Sequence, residues 1–480
     1  MANRYWVGGS GTWDATSTAN WSATSGGAPG ASAPVAADLI FFDANSGTAA
    51  TVSVAANAVG PSVTINKSDI TLSLSGSPTF GSIILTTGIV SLNAETLTVT
   101  GAFASNNSNA RTVNFGTGKI VLSGSGVVWS CGTTTGMVVS GTPLVEVTNS
   151  GAVATTVNSG SLTEAQSISF SFTAGSYALT LQSNSTYRNL SFSGFAGTVG
   201  SQAVTVFGDF TSGASTVFTA TTNAITFAAT SGPKTITSSG VTFDRPIIFN
   251  GVGGSWRLAD ALTIGSTRSV TLTNGTLDGN GNNASIGSFA LGVGTKTLTL
   301  GSGTWTVVGS GTAWNANTNV ANLTVSPSAG IISMTSASAK TFAGGALAWP
   351  RLNQGGSGAL TIQQSNTFAN ITNTVQPATI TLTAGTTQTV AAFGVSGTAG
   401  NLITLNSSTS GTRATLSDSI GTVEVSNVSI QDINATGGAT WNAFLKTGNV
   451  DAGNNSGWDF FPAVRQVFGQ VFSSIFRPIF

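Results

Sequence analysis

The sequence predicts an all-β fold, a parallel β-helix expected to wind right-handed, and three observations carry that prediction. First, short alternating stretches such as TLTVT (96–100), KIVL (119–122), KTLTL (296–300) and ATITLT (378–383) recur along the chain, bounded by Gly, Ser or Asn. Runs of this length, rich in Val, Ile, Leu and Thr, are half-buried strands joined by tight turns. Second, segments of one half return in the other. RTVNFGTGKIVLSGSGVVW (111–129) aligns without a gap on KTLTLGSGTWTVVGSGTAW (296–314), and ALTLQSNSTYRNLS (178–191) on ALTIQQSNTFANIT (359–372). Third, 61 glycines and only 7% charged residues in 480 leave Ser, Thr, Asn and Gly to coat the surface, against roughly 25% charge in an ordinary soluble domain.

The repeats favour stacked coils over the alternative, a string of β-sandwich domains. SIILTTG (82–88) matches SVTLTNG (269–275) and GAFA (101–104) matches GSFA (287–290), so the four matches lie at offsets of 187, 186, 185 and 181 residues. Chance agreement of Ser, Thr and Gly would not set Trp129 on Trp314, Phe103 on Phe289 and Tyr187 on Phe368 in one order. A smaller unit echoes at another offset: PKTITSSGVTFDR (233–245) resembles AKTFAGGALAWPR (339–351), with Lys234 over Lys340 and Phe243 over Trp349. A motif of one apolar residue, two others, then Leu or Ile also recurs, as FGSI (80–83), YRNL (187–190), VANL (320–323), WPRL (349–352) and FANI (368–371). Each coil presents a strand edge and an inward apolar row to the next, so the coils are stable only as a stack. Asn suits the left-handed positions at the bends.

Read in order, residues 1–79 form an N-terminal Trp-rich cap with the first coils. Residues 80–265 hold the first copy of the block with its connecting coils, and 266–435 the second copy with the last coils. Residues 436–460 form a closing cap with Trp441 and Trp458 packed over the last coil, and 461–480 a short amphipathic helix. Trp6, Trp13 and Trp21 close the first coil, since solenoid ends need covering; a host- or glycan-contacting platform is the sharper reading of the same rings. In the tail, Val464, Val467, Phe468, Val471, Phe472, Ile475 and Ile479 follow helical spacing, and Phe476 and Phe480 add apolar surface. That face predicts docking to a partner or to copies of the same chain.

Composition narrows the chemistry. Without histidine there is no Ser-His-Asp triad, no imidazole base and no zinc site of the usual kind. The single cysteine, Cys131, reads as a buried thiol. Sixteen basic and sixteen acidic residues cancel, so no global field favours nucleic acid. No secretory signal or membrane-spanning run is evident. DGNGNN (278–283) carries too few carboxylates for a calcium loop and reads as a turn between coils. Asp244 beside Arg245, and Asp260 near Arg257, read as surface ion pairs. The four glutamates and twelve aspartates form no local cluster. No catalytic residue, metal site or cofactor is therefore predicted, although carboxylates distant in sequence could meet across coils.

The opening WVGGSGTWDATSTANW (6–21) resembles the W-x-G-x-G-x-W…N-W starts of Gly/Ser/Thr-rich β-solenoid proteins of bacteriophage virions, and more distantly autotransporter passenger domains. The ending, NATGGATWNAF (434–444) with DAGNNSGWDF (451–460), is similar to the phage proteins too. The resemblance covers the two ends by motif and the middle only in style. It implies a non-enzymatic virion-surface structural protein, a tail fibre, tail spike or capsid fibre, homo-oligomeric and possible as a trimer. Its partners would be other virion proteins, a tail adaptor or the capsid, reached through the C-terminal tail, and a host-surface glycan or protein. A polysaccharide-degrading tailspike and a bacterial surface adhesin are the alternatives.

Overall fold

The computed structural model describes residues 1–326 and 328–461. Among them the chain is all-β, a solenoid of about 19 stacked parallel coils without an α-helix. One 3-10 turn, Glu164–Gln166, interrupts the strands. The amphipathic helix expected over 461–480, and its docking residues Val464, Val467, Phe468, Val471, Phe472, Ile475, Phe476, Ile479 and Phe480, lie outside the described residues. Among the described residues, no helix is long and apolar enough to cross a membrane.

Strand alternation produces the stack. In Thr96–Val99 and Lys119–Leu122, Leu97, Val99, Ile120 and Leu122 point inward and the residues between them point out. The two strands pair in parallel register, Val99 against Leu122. A parallel partner demands a long crossover, and here the rest of the coil is that crossover. Each buried Leu, Ile or Phe contributes about 1.5–3 kcal/mol relative to exposure, so the inward rows hold the coils together.

The chain divides into two compact units, Met1–Ala284 with Gly292–Leu298 and Ser285–Leu291 with Thr299–Phe480. In the first unit an inward row runs Phe80, Val99, Leu122, Val147, Phe172 through successive coils. A second row runs Ile83, Phe103, Trp129, Val157, Leu181. Its N-terminal edge is closed by an antiparallel piece: Asn3–Trp6 pairs with Trp21–Ser22 on one side and in parallel with Leu39–Phe42 on the other. Reversed direction and short length blunt an edge that would otherwise template another chain. Tryptophan packing fixes this cap, with Trp6 and Trp21 edge to face at 5.1 Å and Trp13 stacked on Phe80 at 5.1 Å.

In the second unit Trp305, Ile332, Leu352, Ile371 and Phe393 form one inward row. Trp314, Phe342, Ile362 and Leu382 form another. At the last described coils Val423, Trp441 and Trp458 pair in register, and the two tryptophan rings meet at 5.0 Å.

The two copies of the duplicated block share local geometry. Phe103 pairs with Trp129 and Phe289 with Trp314, stacked at 4.7 and 4.4 Å. Arg111 and Lys296, aligned in sequence, are both buried. The Arg111 guanidinium donates to Ser105 Oγ and to the carbonyls of Ser105, Asn109, Thr133 and Thr135. Asn occupies seven of the twelve non-glycine positions with positive φ among the described residues, Asn93 and Asn280 included.

Two expected ion pairs are replaced by others. Asp244 pairs with Arg268 at 2.7 Å, while the neighbouring Arg245 is buried and donates to the carbonyls of Gly200 and Gln202. Burial alternates through the connection that follows strand Thr242–Phe243: Phe243, Arg245 and Ile247 are buried, while Asp244 between them is partly exposed. Arg257 pairs with Asp278 at 3.5 Å, and Asp260 accepts the backbone N–H groups of Ser238 and Ser239.

Candidate functional site

A departure from regular coils in the first unit opens a cavity of about 440 Å³. Strand register shows how it arises. Ile168 and Phe170 pair with Tyr187 and Leu190, so the strand Ser185–Ser191 has one residue more than its neighbour over the same stretch. A bulge of this kind turns two successive side chains out of the alternation, here Arg188 and Asn189. One coil on, Tyr187 and Leu190 pair with Val206 and Phe210, which have three residues between them. In the next coil Val206 and Phe210 pair with Phe227 and Ile236, and a loop, 228–233, fills the larger gap. The sheet thus splits progressively, and the cleft lies in the split.

Four charged residues line it, one from each of four successive coils: Glu164, Arg188, Asp209 and Lys234. Their signs alternate along the stack. The carboxylates are held by backbone. Glu164 accepts the Thr230 N–H at 3.1 Å and the Thr230 hydroxyl, tying the loop back over the intervening coils. Asp209 accepts the Thr235 N–H at 2.7 Å. The cations are less engaged. Arg188 donates one N–H to the Ala165 carbonyl at 2.7 Å, and Lys234 Nζ has no partner among the described residues. Six ion pairs occur among the described residues, and none includes any of these four side chains. Gly208 also lines the cavity; a Cβ there would fall 2.1 Å from Asn189 Oδ1 and 2.5 Å from the Arg188 carbonyl. Half-buried Phe207 forms an apolar part of the wall.

A second cavity, of about 550 Å³, lies in the other unit beside Asn370, Phe393, Asp418 and Glu424. Its carboxylates are already engaged: Glu424 pairs with Lys446 at 3.2 Å, and Asp418 is buried and accepts the Ile420 N–H. Among the described residues no group of three or more His, Cys, Asp or Glu could hold a metal ion. Asp278 and Asn280 of DGNGNN form a turn, with the Asn280 and Asn282 amides donating to the Leu258 carbonyl.

No family model matches this chain, and neither a curated protein nor a solved structure matches it. Function therefore has to be argued from the residues. Trp6, Trp13 and Trp21 are all at most 1% exposed, covered by one another, by Phe42 and by Phe80, so the cap uses their ring faces. Cys131 is buried and burial pushes its thiol up, away from nucleophilic use. Sequence reasoning passed over Glu164, Arg188, Asp209 and Lys234 because they are far apart in the chain. The signal was present in part: the recurring motif that includes YRNL spaces two inward residues three apart, which an alternating strand cannot do without a bulge.

Proposed function

We propose that this chain is a non-enzymatic structural protein of a bacteriophage particle, a fibre or spike on tail or capsid, with right-handed coils and a host-contacting surface. The observation that carries the reading is the closed parallel solenoid, its ends bearing the Trp-rich motifs that resemble virion solenoids. Stacked coils with buried aromatic rows and a neutral, hydroxyl-rich coat resist unfolding and nonspecific adhesion, which suits a part exposed outside a cell. The apolar tail, Val464 to Phe480, docks to another virion protein or to copies of the chain. Phe461, at the last described position, is 78% exposed and would continue that apolar surface.

The test is to detect the protein in purified particles by mass spectrometry and immunogold labelling, with and without residues 461–480. Presence on the particle surface, lost on truncation, is expected; absence from particles overturns the reading, and unchanged incorporation of the truncated chain removes the docking role. One observation favours a second reading, a polysaccharide-degrading spike: Glu164 and Asp209 line one cavity, and glycoside hydrolysis needs two carboxylates across a groove. Incubation with host capsule and measurement of glycan length separates the two.

A further inference from the structure

We propose that the cleft of the first unit binds an acidic saccharide, its anionic group held by Arg188 and Lys234 and a sugar ring set against Phe207. As the host-contacting surface of a virion protein this site rests on the reading above; as a binding site it rests on the cleft alone.

Unused bonding capacity points to an anion. Both carboxylates of the cleft already accept hydrogen bonds, Glu164 from Thr230 and Asp209 on one oxygen from Thr235, which leaves Asp209 with acceptor capacity to spare. The donor side is open. Lys234 offers three N–H groups without a partner among the described residues, and Arg188 spends one of five on Ala165. Most other cations among the described residues are engaged: Arg111, Arg245, Lys296 and Lys340 are buried against carbonyls, Arg413 donates to the Asn454 carbonyl, and six others are paired with carboxylates, while the exposed Arg351 lies outside this cleft. Two that line one cavity with spare donors therefore stand apart.

Shape adds a second argument. The bulge at Arg188–Asn189 opens the cleft, Gly208 lets its strand pack directly against Asn189 and the Arg188 carbonyl, and the Glu164–Thr230 tie fixes the loop beside it. A preformed cleft lets a ligand bind without ordering the protein first. Register distinguishes it from ordinary coil surface: Lys234 pairs with Trp256, which is fully buried one coil on. A cavity of about 440 Å³ accommodates one to two sugar rings and is too small for a folded partner. Asp209 and the amide of Asn189, at the rim, supply acceptors and donors for sugar hydroxyls. A carboxylate or sulfate on the sugar would complete the alternation of charge that the protein leaves unpaired.

The experiment uses the full chain and calorimetric titration with polygalacturonate, hyaluronan, polysialic acid and heparin oligosaccharides. Methyl-esterified polygalacturonate and dextran fragments serve as uncharged counterparts. At least one acidic oligosaccharide is expected to bind, its uncharged counterpart at least about tenfold more weakly, because the uncharged sugar forfeits the charge-assisted hydrogen bonds to Arg188 and Lys234. Lys234→Gln and Arg188→Gln should each weaken binding about tenfold, while Lys446→Gln, whose lysine pairs with Glu424 elsewhere, leaves it unchanged. Because Lys234 has no partner to lose, Lys234→Gln keeps the fold and carries the test even if Arg188→Gln does not. Binding to none of the acidic probes, equal binding of charged and uncharged sugars, or indifference to Lys234→Gln overturns the proposal. Shortening of a bound probe also overturns it, in favour of catalysis. Binding by the purified chain together with its absence from particles would defeat the virion reading and leave this site standing.

Discussion

Lys340 and Lys234 occupy the same place in two echoed segments and have opposite environments. Both open a short strand, Lys340–Ala343 and Lys234–Thr237, and both precede an aromatic that the coil buries, Trp349 and Phe243. Lys340 is 1% exposed, its ammonium donating to the carbonyls of Ser336, Gly356 and Gly358. Lys234 sits in an open cleft without such a cage. The difference comes from neighbouring coils. Beside Lys340 the GGSG segment (355–358) packs backbone against backbone; a Cβ on Gly358 would lie 2.1 Å from the Ser338 carbonyl. Only glycines allow that approach, and it delivers two of the three carbonyls. Beside Lys234 the neighbouring coil bulges and the loop 228–233 holds the split open. An inherited strand start thus becomes a structural plug in one coil and an available charge in another.

The shared part of the echo should respond alike in both places, and most strongly. Phe243→Ala and Trp349→Ala each remove a buried aromatic and should cost about 3–5 kcal/mol, read from urea midpoints followed by near-ultraviolet circular dichroism. A large inequality between them would break the structural equivalence of the two segments. Next, Lys340→Met should cost about 3 kcal/mol, because carbonyls that lose a donor stay buried. A variant as stable as the wild type would show the cage to be dispensable.

The pH dependence sharpens the same contrast. Burial pushes the Lys340 ammonium down from 10.5 to about 8. Below pH 8 the lysine is charged in both states. Between about pH 8 and 10.5 the unfolded chain holds a proton that the folded chain has released, so stability rises with pH across that window. The gain is on the order of 3 kcal/mol at most. Burial also raises the Tyr177 phenol to about 12, so the Lys340 contribution is best read as wild type minus Lys340→Met at each pH. A constant difference from pH 7 to 10.5 would refute the assignment. Smallest of all, Lys234→Met should change stability by no more than about 0.5 kcal/mol, as for an unpartnered surface side chain. A loss comparable to that of Lys340→Met would mean that Lys234 has a structural role after all.

Much of the coil architecture could be read directly from residues. Leu97, Val99, Ile120 and Leu122 announce their inward faces by alternation, and the aligned repeats foretell that Trp129 and Trp314 occupy equivalent places, each stacked on an aligned phenylalanine, Phe103 or Phe289. Local pattern suffices here because a parallel coil repeats one environment. The ion pairs were less legible. Asp244 and Arg245 are adjacent in sequence, but in the connection between two strands Arg245 is buried and Asp244 is not, so each finds its partner in another coil. The cleft was least legible. YRNL announces a bulge, but nothing local says that the next coils enlarge it until Glu164, Arg188, Asp209 and Lys234 surround one space.

Sequence alone therefore determined the strand period, the duplication and the polar coat, because these depend on residues close together in the chain and on their repetition. Tertiary structure decided which of the few charges are plugs, which are paired and which are left available. That decision depends on the register between coils, and register accumulates one bulge or loop at a time, so that residues tens of positions apart come to share a wall.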